Sequence, residues 1–79
     1  MSAELRMRIT TSDPTAMRRA DETRLEPYTK QWRLGMIEQA DGVAVVEYHV
    51  QLRKKTTPEE LLQLVRAAGS TYITDAELR

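Results

Sequence analysis

The sequence predicts an α+β fold: a four-stranded antiparallel sheet with two helices on one face, in the order β-α-β-β-α-β, forming one domain over residues 1–79. Three observations lead there. The stretch Val43-Ala44-Val45-Val46-Glu47-Tyr48-His49-Val50-Gln51-Leu52 is the longest apolar-rich run, and the β-branched and aromatic residues that dominate it mark a central strand. Proline-initiated helix starts stand before and after it, at Asp13-Pro14 and Thr57-Pro58. Strand-like alternation recurs near both ends of the chain and again just ahead of the Asp41-Gly42 turn.

Taken in order, Leu5, Met7 and Ile9 alternate with Glu4, Arg6, Arg8 and Thr10, which predicts a half-buried first strand ending at Thr11-Ser12-Asp13-Pro14. Asp13 suits the N-cap of the first helix, because its carboxylate accepts free amide protons, and Pro14 lacks the donor that the first turn cannot use. Ala16, Met17, Ala20, Leu25, Tyr28 and Trp32 form an uneven apolar stripe, with Arg18, Arg19, Asp21, Glu22, Arg24 and Lys30 outside it. Pro27 accounts for the unevenness and predicts a kink or split near Thr23 to Glu26.

Trp32, Leu34 and Met36 alternate with Arg33, Gly35 and Ile37 in a second strand, which the Gln39-Ala40-Asp41-Gly42 hairpin joins to the central one. In the central strand Ala44, Val46, Tyr48, Val50 and Leu52 share one face, and Val43, Val45, Glu47, His49 and Gln51 the other. Thr57-Pro58-Glu59-Glu60 is a capping box that opens a helix buried through Leu61, Leu62, Leu64, Val65 and Ala68, with Gly69 suited to a left-handed C-terminal cap. A short last strand follows, with Ala76 and Leu78 inward; Ile73 breaks that parity, so a bulge or late start is expected there. The order is that of ferredoxin-like folds, with the first and third strands central and the second and fourth at the edges.

Composition narrows function. Twelve basic and twelve acidic residues cancel, which removes the broad positive field that non-specific nucleic-acid binding needs, so no nucleic-acid partner is expected. The chain has no Cys, hence no disulfide framework and no thiolate chemistry, in keeping with a reducing cytoplasm. No apolar run approaches the roughly 20 residues of a membrane span, and Met1-Ser2-Ala3-Glu4 leads into a charged strand rather than a signal-peptide core. Direct membrane insertion of this segment is therefore not expected.

No catalytic, metal or phosphate-binding constellation stands out, so neither a catalytic residue nor a cofactor is assigned. His49 lies beside Glu47 and Gln51 without the three or four convergent ligands that a metal requires. Arg6 and Arg8 fit a cross-strand charge ladder with Glu47 and with Asp75 or Glu77. Candidate ligand-binding positions are Asp13 at a helix start, Trp32 as a partly exposed ring, and Arg53 and Lys54, whose charge adjoins the second helix start. The candidate interface is Ile37, Val43 and Val45, apolar residues expected together on the open face at the hairpin end.

Lys30-Gln31-Trp32-Arg33-Leu34, Val46-Glu47-Tyr48-His49-Val50-Gln51-Leu52-Arg53-Lys54, and Thr57-Pro58-Glu59-Glu60-Leu61-Leu62 running to Ala67-Ala68-Gly69 are the segments in which the chain resembles ACT-like regulatory domains. It is similar in particular to the cytosolic carboxy-terminal domains of that type in uncharacterised multi-pass bacterial membrane proteins. Effector-binding ACT domains carry an Asp-x-Pro-Gly-type turn between the first strand and helix, where this chain has Asp13-Pro14-Thr15 without the Gly. The resemblance implies a regulatory module in the cytoplasm, at the cytosolic face of a membrane where it is fused to or associated with a membrane protein.

A small core, buried to only roughly 60–65% of the unfolded surface, gains from self-association, so a homodimer formed through the sheet is expected. The resulting expectation is a non-catalytic regulatory or oligomerisation module. The alternatives are a small-ligand-binding protein and a dimeric ferredoxin-like monooxygenase that uses Trp32 or His49 near a pocket.

Overall fold

Strand β1 (Leu5–Thr11) buries Met7, Ile9 and Thr11 and turns Arg6 and Arg8 outward, in the alternation its sequence predicts. The computed structural model describes residues 4–79; Met1-Ser2-Ala3, part of the lead-in read from the sequence, lies outside the described residues. At the end of β1 the Thr11 hydroxyl donates to the Tyr72 carbonyl and accepts from the Asp13 amide. Asp13 then caps helix α1 (Pro14–Glu22), its carboxylate accepting from the Ala16 amide at 3.1 Å. Helix α1 stops at Glu22, and a 3-10 turn over Glu26–Tyr28 is built around Pro27, so the chain breaks where the proline predicts.

Strands β2 (Thr29–Ala40) and β3 (Val43–Leu52) form the hairpin, and Asp41 and Gly42 take φ of +54° and +80° in its two-residue loop. Two positive φ values are what a tight turn needs to match the right-handed twist of the strands. Helix α2 (Pro58–Ala68) opens with the predicted capping box: the Glu60 amide donates to the Thr57 hydroxyl at 3.2 Å, and the Thr57 amide donates to the Glu60 carboxylate at 3.3 Å. Strand β4 (Ile73–Leu78) completes an antiparallel sheet in the order β2-β3-β1-β4. This is a ferredoxin-like arrangement, with β1 and β3 central and β2 and β4 at the edges.

The core lies between sheet and helices. Ala44, Val46, Tyr48 and Val50 of β3 pack there with Met7, Ile9, Met17, Leu25, Leu61, Val65 and Ala76, none of them more than 2% exposed. Trp32, in β2, sets its ring edge-on to Tyr48 at 5.8 Å between centroids.

The structure corrects three expectations. Asp21, expected on the solvent side of α1, is 1% exposed. Gly69 caps α2 with φ of −109° rather than in the left-handed region. Space is tight there: a Cβ would lie 2.7 Å from Ile73 Cδ1, the tip of a side chain that would have to shift, and 3.4 Å from an Asp21 carboxylate oxygen. Third, β2 bulges at Gly35. Leu34 pairs with Tyr48 but Met36 pairs with Glu47, so the parity of β2 inverts and Ile37 falls opposite Val46, on the face the helices use. The irregularity expected near Ile73 is also present, since Thr10 pairs with Asp75 while Thr11 pairs with Ile73.

Candidate functional site

The face of the sheet turned away from the helices is set by register. Arg6 faces His49, which faces Arg33; Arg8 faces Glu47 and, on its other side, Glu77; Thr10 faces Val45 and Asp75. Since directly opposite residues project to the same side, these form one continuous surface of mixed charge.

Its centre is a chain of close polar contacts in which His49 bridges two carboxylates. Arg8 Nε lies 3.0 Å from Glu47 Oε1, Glu47 Oε2 lies 3.5 Å from His49 Nε2, His49 Nδ1 lies 3.2 Å from Glu4 Oε1, and the same Glu4 oxygen lies 3.6 Å from the Arg33 guanidinium. The predicted ladder between Arg8 and Glu47 is thus extended through His49, whose ring rests against Gly35. Both nitrogens of His49 face carboxylates, which are acceptors only, so two hydrogen bonds form only when both nitrogens carry protons. Among the described residues, no group of three or more His, Cys, Asp or Glu side chains gathers in a way that could hold a metal ion.

At the hairpin end the same face turns apolar. Val43 is 42% exposed, and Val45 and Met36 lie half-buried behind it. Ile37, 40% exposed, is at the same end of the sheet but on the opposite face, so the expected trio of Ile37, Val43 and Val45 is not one patch. Met36 replaces Ile37 on the open face. Sequence alternation pointed the other way, because Gly35 read as an ordinary strand position. Every residue from Ile37 to Val43 is exposed, and the hairpin tip contributes to a molecule 39 Å long and 21 Å wide.

The candidate ligand positions separate. Asp13 is engaged as the α1 cap at the hairpin end of the sheet. Arg53 follows the far end of β3, where its guanidinium donates twice to the Glu26 carbonyl, at 3.0 and 3.2 Å, and Lys54 comes next in the exposed turn. Roughly 30 Å of extended strand separates the two ends of β3, so Asp13 does not converge with Arg53 and Lys54. Trp32 lines a cleft of about 210 Å³ with Glu4, Gln31, Arg33, His49 and Gln51. That volume is below the roughly 300 Å³ at which small-molecule sites begin. A second depression, of about 360 Å³, lies between Ser12, Pro14 and the hairpin residues 39–44.

Beneath the sheet, the Tyr48 hydroxyl donates to Glu22 at 2.7 Å and Arg18 Nε donates to the same carboxylate oxygen at 2.6 Å. Burial, reinforced by the bond to Glu22, pushes the Tyr48 phenol well above its ordinary pKa, and the bond to Glu22 raises that of Arg18. The pair ties α1 to the central strand. Sequence reading missed it, since Tyr48 was placed inward without a partner for its hydroxyl.

No protein-family model, curated protein sequence or solved structure matches the chain significantly. Among the described residues, no helix is long and apolar enough to cross a membrane.

Proposed function

We propose that the domain is a non-catalytic interaction module that pairs with a second copy of itself across the open face of the sheet, serving a larger assembly as a regulatory or oligomerisation unit. The observation that carries this is the apolar surface of Val43, Val45 and Met36 on the face turned away from both helices, continuous with a charged field of both signs. Arg6, Arg8 and Arg33 share that field with Glu38, Glu47 and Glu77. A two-fold axis through it sets acid against base while burying the valines, and zero net charge offers no general repulsion between copies. The ACT-like resemblance supports a cytosolic setting within or beside a membrane protein.

Sedimentation velocity across a concentration series, on the wild type and on Val45→Lys, tests the reading. The wild type should pass from monomer to dimer, and the variant should remain a monomer with an unchanged circular dichroism spectrum, because the two-fold places the new lysines close together. A wild type that stays monomeric at high micromolar concentration removes the proposal.

A further inference from the structure

Asp21 is buried to 1% exposure, and among the described residues neither of its carboxylate oxygens has a hydrogen-bond partner. It sits in the last turn of α1, and one of its oxygens is 3.4 Å from the position a side chain would occupy at Gly69, the C-terminal cap of α2. The carboxyl group in the last turn of α1 is thus enclosed against the end of α2. An ionised carboxylate in that place meets no hydrogen-bond donor among the described residues. A carboxylic acid offers one donor and no charge.

The charged groups around it do not relieve this. Arg24 favours the ionised form from an exposed position. Arg18 and Glu22 are bonded to each other and to Tyr48, and on the α2 side Arg66 donates to the Ala76 carbonyl at 2.7 Å. Gly69 and Ile73, which meet at this point, bring no charge.

We propose that Asp21 is a proton-binding site built into the seam between α1 and α2: protonated, it lets the two helix ends close on each other, and ionised, it loosens them. In support, burial lifts its carboxyl from 3.8 to about 6, with Arg24 pulling the other way. The folded chain then holds this proton more tightly than the unfolded chain. The stabilisation is complete below the unfolded value of 3.8, falls as pH rises, and is gone above about 6. Each pH unit in that window lowers the folding constant by up to about tenfold, roughly a hundredfold in all.

Urea denaturation of the full chain between pH 4 and pH 8, as wild type and as Asp21→Asn, reads this directly. The wild type should lose roughly a hundredfold more of its folding constant from pH 4 to pH 7 than the variant does, and the variant should be the more stable of the two at pH 7. On the wild type, the carbon-13 shift of the Asp21 carboxyl should titrate near 6, and amide exchange at the end of α1 and at Gly69 should accelerate through the same range. Parallel pH curves for the two proteins, or a carboxyl that titrates near its ordinary value of about 4, overturn the proposal. Should the variant not fold, the carboxyl titration and exchange of the wild type decide alone.

Discussion

Replacing Gly35 with alanine should destabilise the domain only while His49 is present. A Cβ at Gly35 would lie 2.4 Å from His49 Cδ2 and 2.6 Å from Nε2, against an unstrained 3.4 Å to the Glu47 carbonyl oxygen. The imidazole must therefore shift by about 1 Å to restore ordinary contact distances, and its side chain is only 15% exposed and held between Glu4 and Glu47. Overpacking of this kind costs about 1–3 kcal/mol. Gly35 does not have a positive φ, so alanine fits its backbone and should return about 0.5–1 kcal/mol by restricting the unfolded chain.

The expected net loss is about 1–2 kcal/mol in the wild type. In a His49→Ala background the obstacle is gone, and the same substitution should be neutral or stabilising by about 0.5 kcal/mol. Equilibrium denaturation of the four proteins, followed by the fluorescence of Trp32, gives a coupling of about 2 kcal/mol. If the effects of the two single substitutions simply add in the double variant, the ring does not rest on Gly35 and the account of the open face fails.

Two further predictions concern the attachment of the helices. Tyr48→Phe removes the bond to Glu22 and should cost about 1–2 kcal/mol in a neutral-pH melt; because the folded phenol holds its proton above the ordinary 10.0, the wild type should also lose stability as pH rises beyond 10.0, a loss the variant lacks. Thr57→Ala removes the hydroxyl that accepts from the Glu60 amide, while the backbone amide of residue 57 can still donate to the Glu60 carboxylate, and should lower stability by about 1 kcal/mol, read as a shift in denaturant midpoint at constant slope; no shift would mean the hydroxyl cap contributes nothing.

What could be read in advance follows from the range of the forces involved. Caps, the hairpin turn and the alternation of β1 and β3 are local, and Asp13, Thr57, Asp41-Gly42 and the inward residues of β3 stand where their neighbours along the chain predict. Asp21 was misplaced because a helical stripe carries no information about a second helix whose end arrives from 48 residues away, at Gly69. Ile37 was misplaced because one bulge inverts every residue after it, and Gly35, a residue that often marks a bulge inside a strand, was read as an ordinary alternating position. The candidate ligand residues were read one by one from local features, and the separation of Asp13 from Arg53 and Lys54 by the length of β3 follows only from the topology.

The ladder between β1 and β4 extends one residue past the end of β4, with Arg6 of β1 and Arg79 exchanging amide bonds at 3.0 and 2.9 Å. The strand synthesised first is thus the one enclosed last. The β2–β3 hairpin is local and closes within about 1–10 μs, and β1 can then dock on β3, but its other edge stays open until residues 73–79 have emerged. In that interval the central strand presents a row of unpaired amides and carbonyls, a template for any extended chain nearby. The half-made domain is consequently at its most adhesive just before β4 emerges, and the six residues of that strand serve as its stopper.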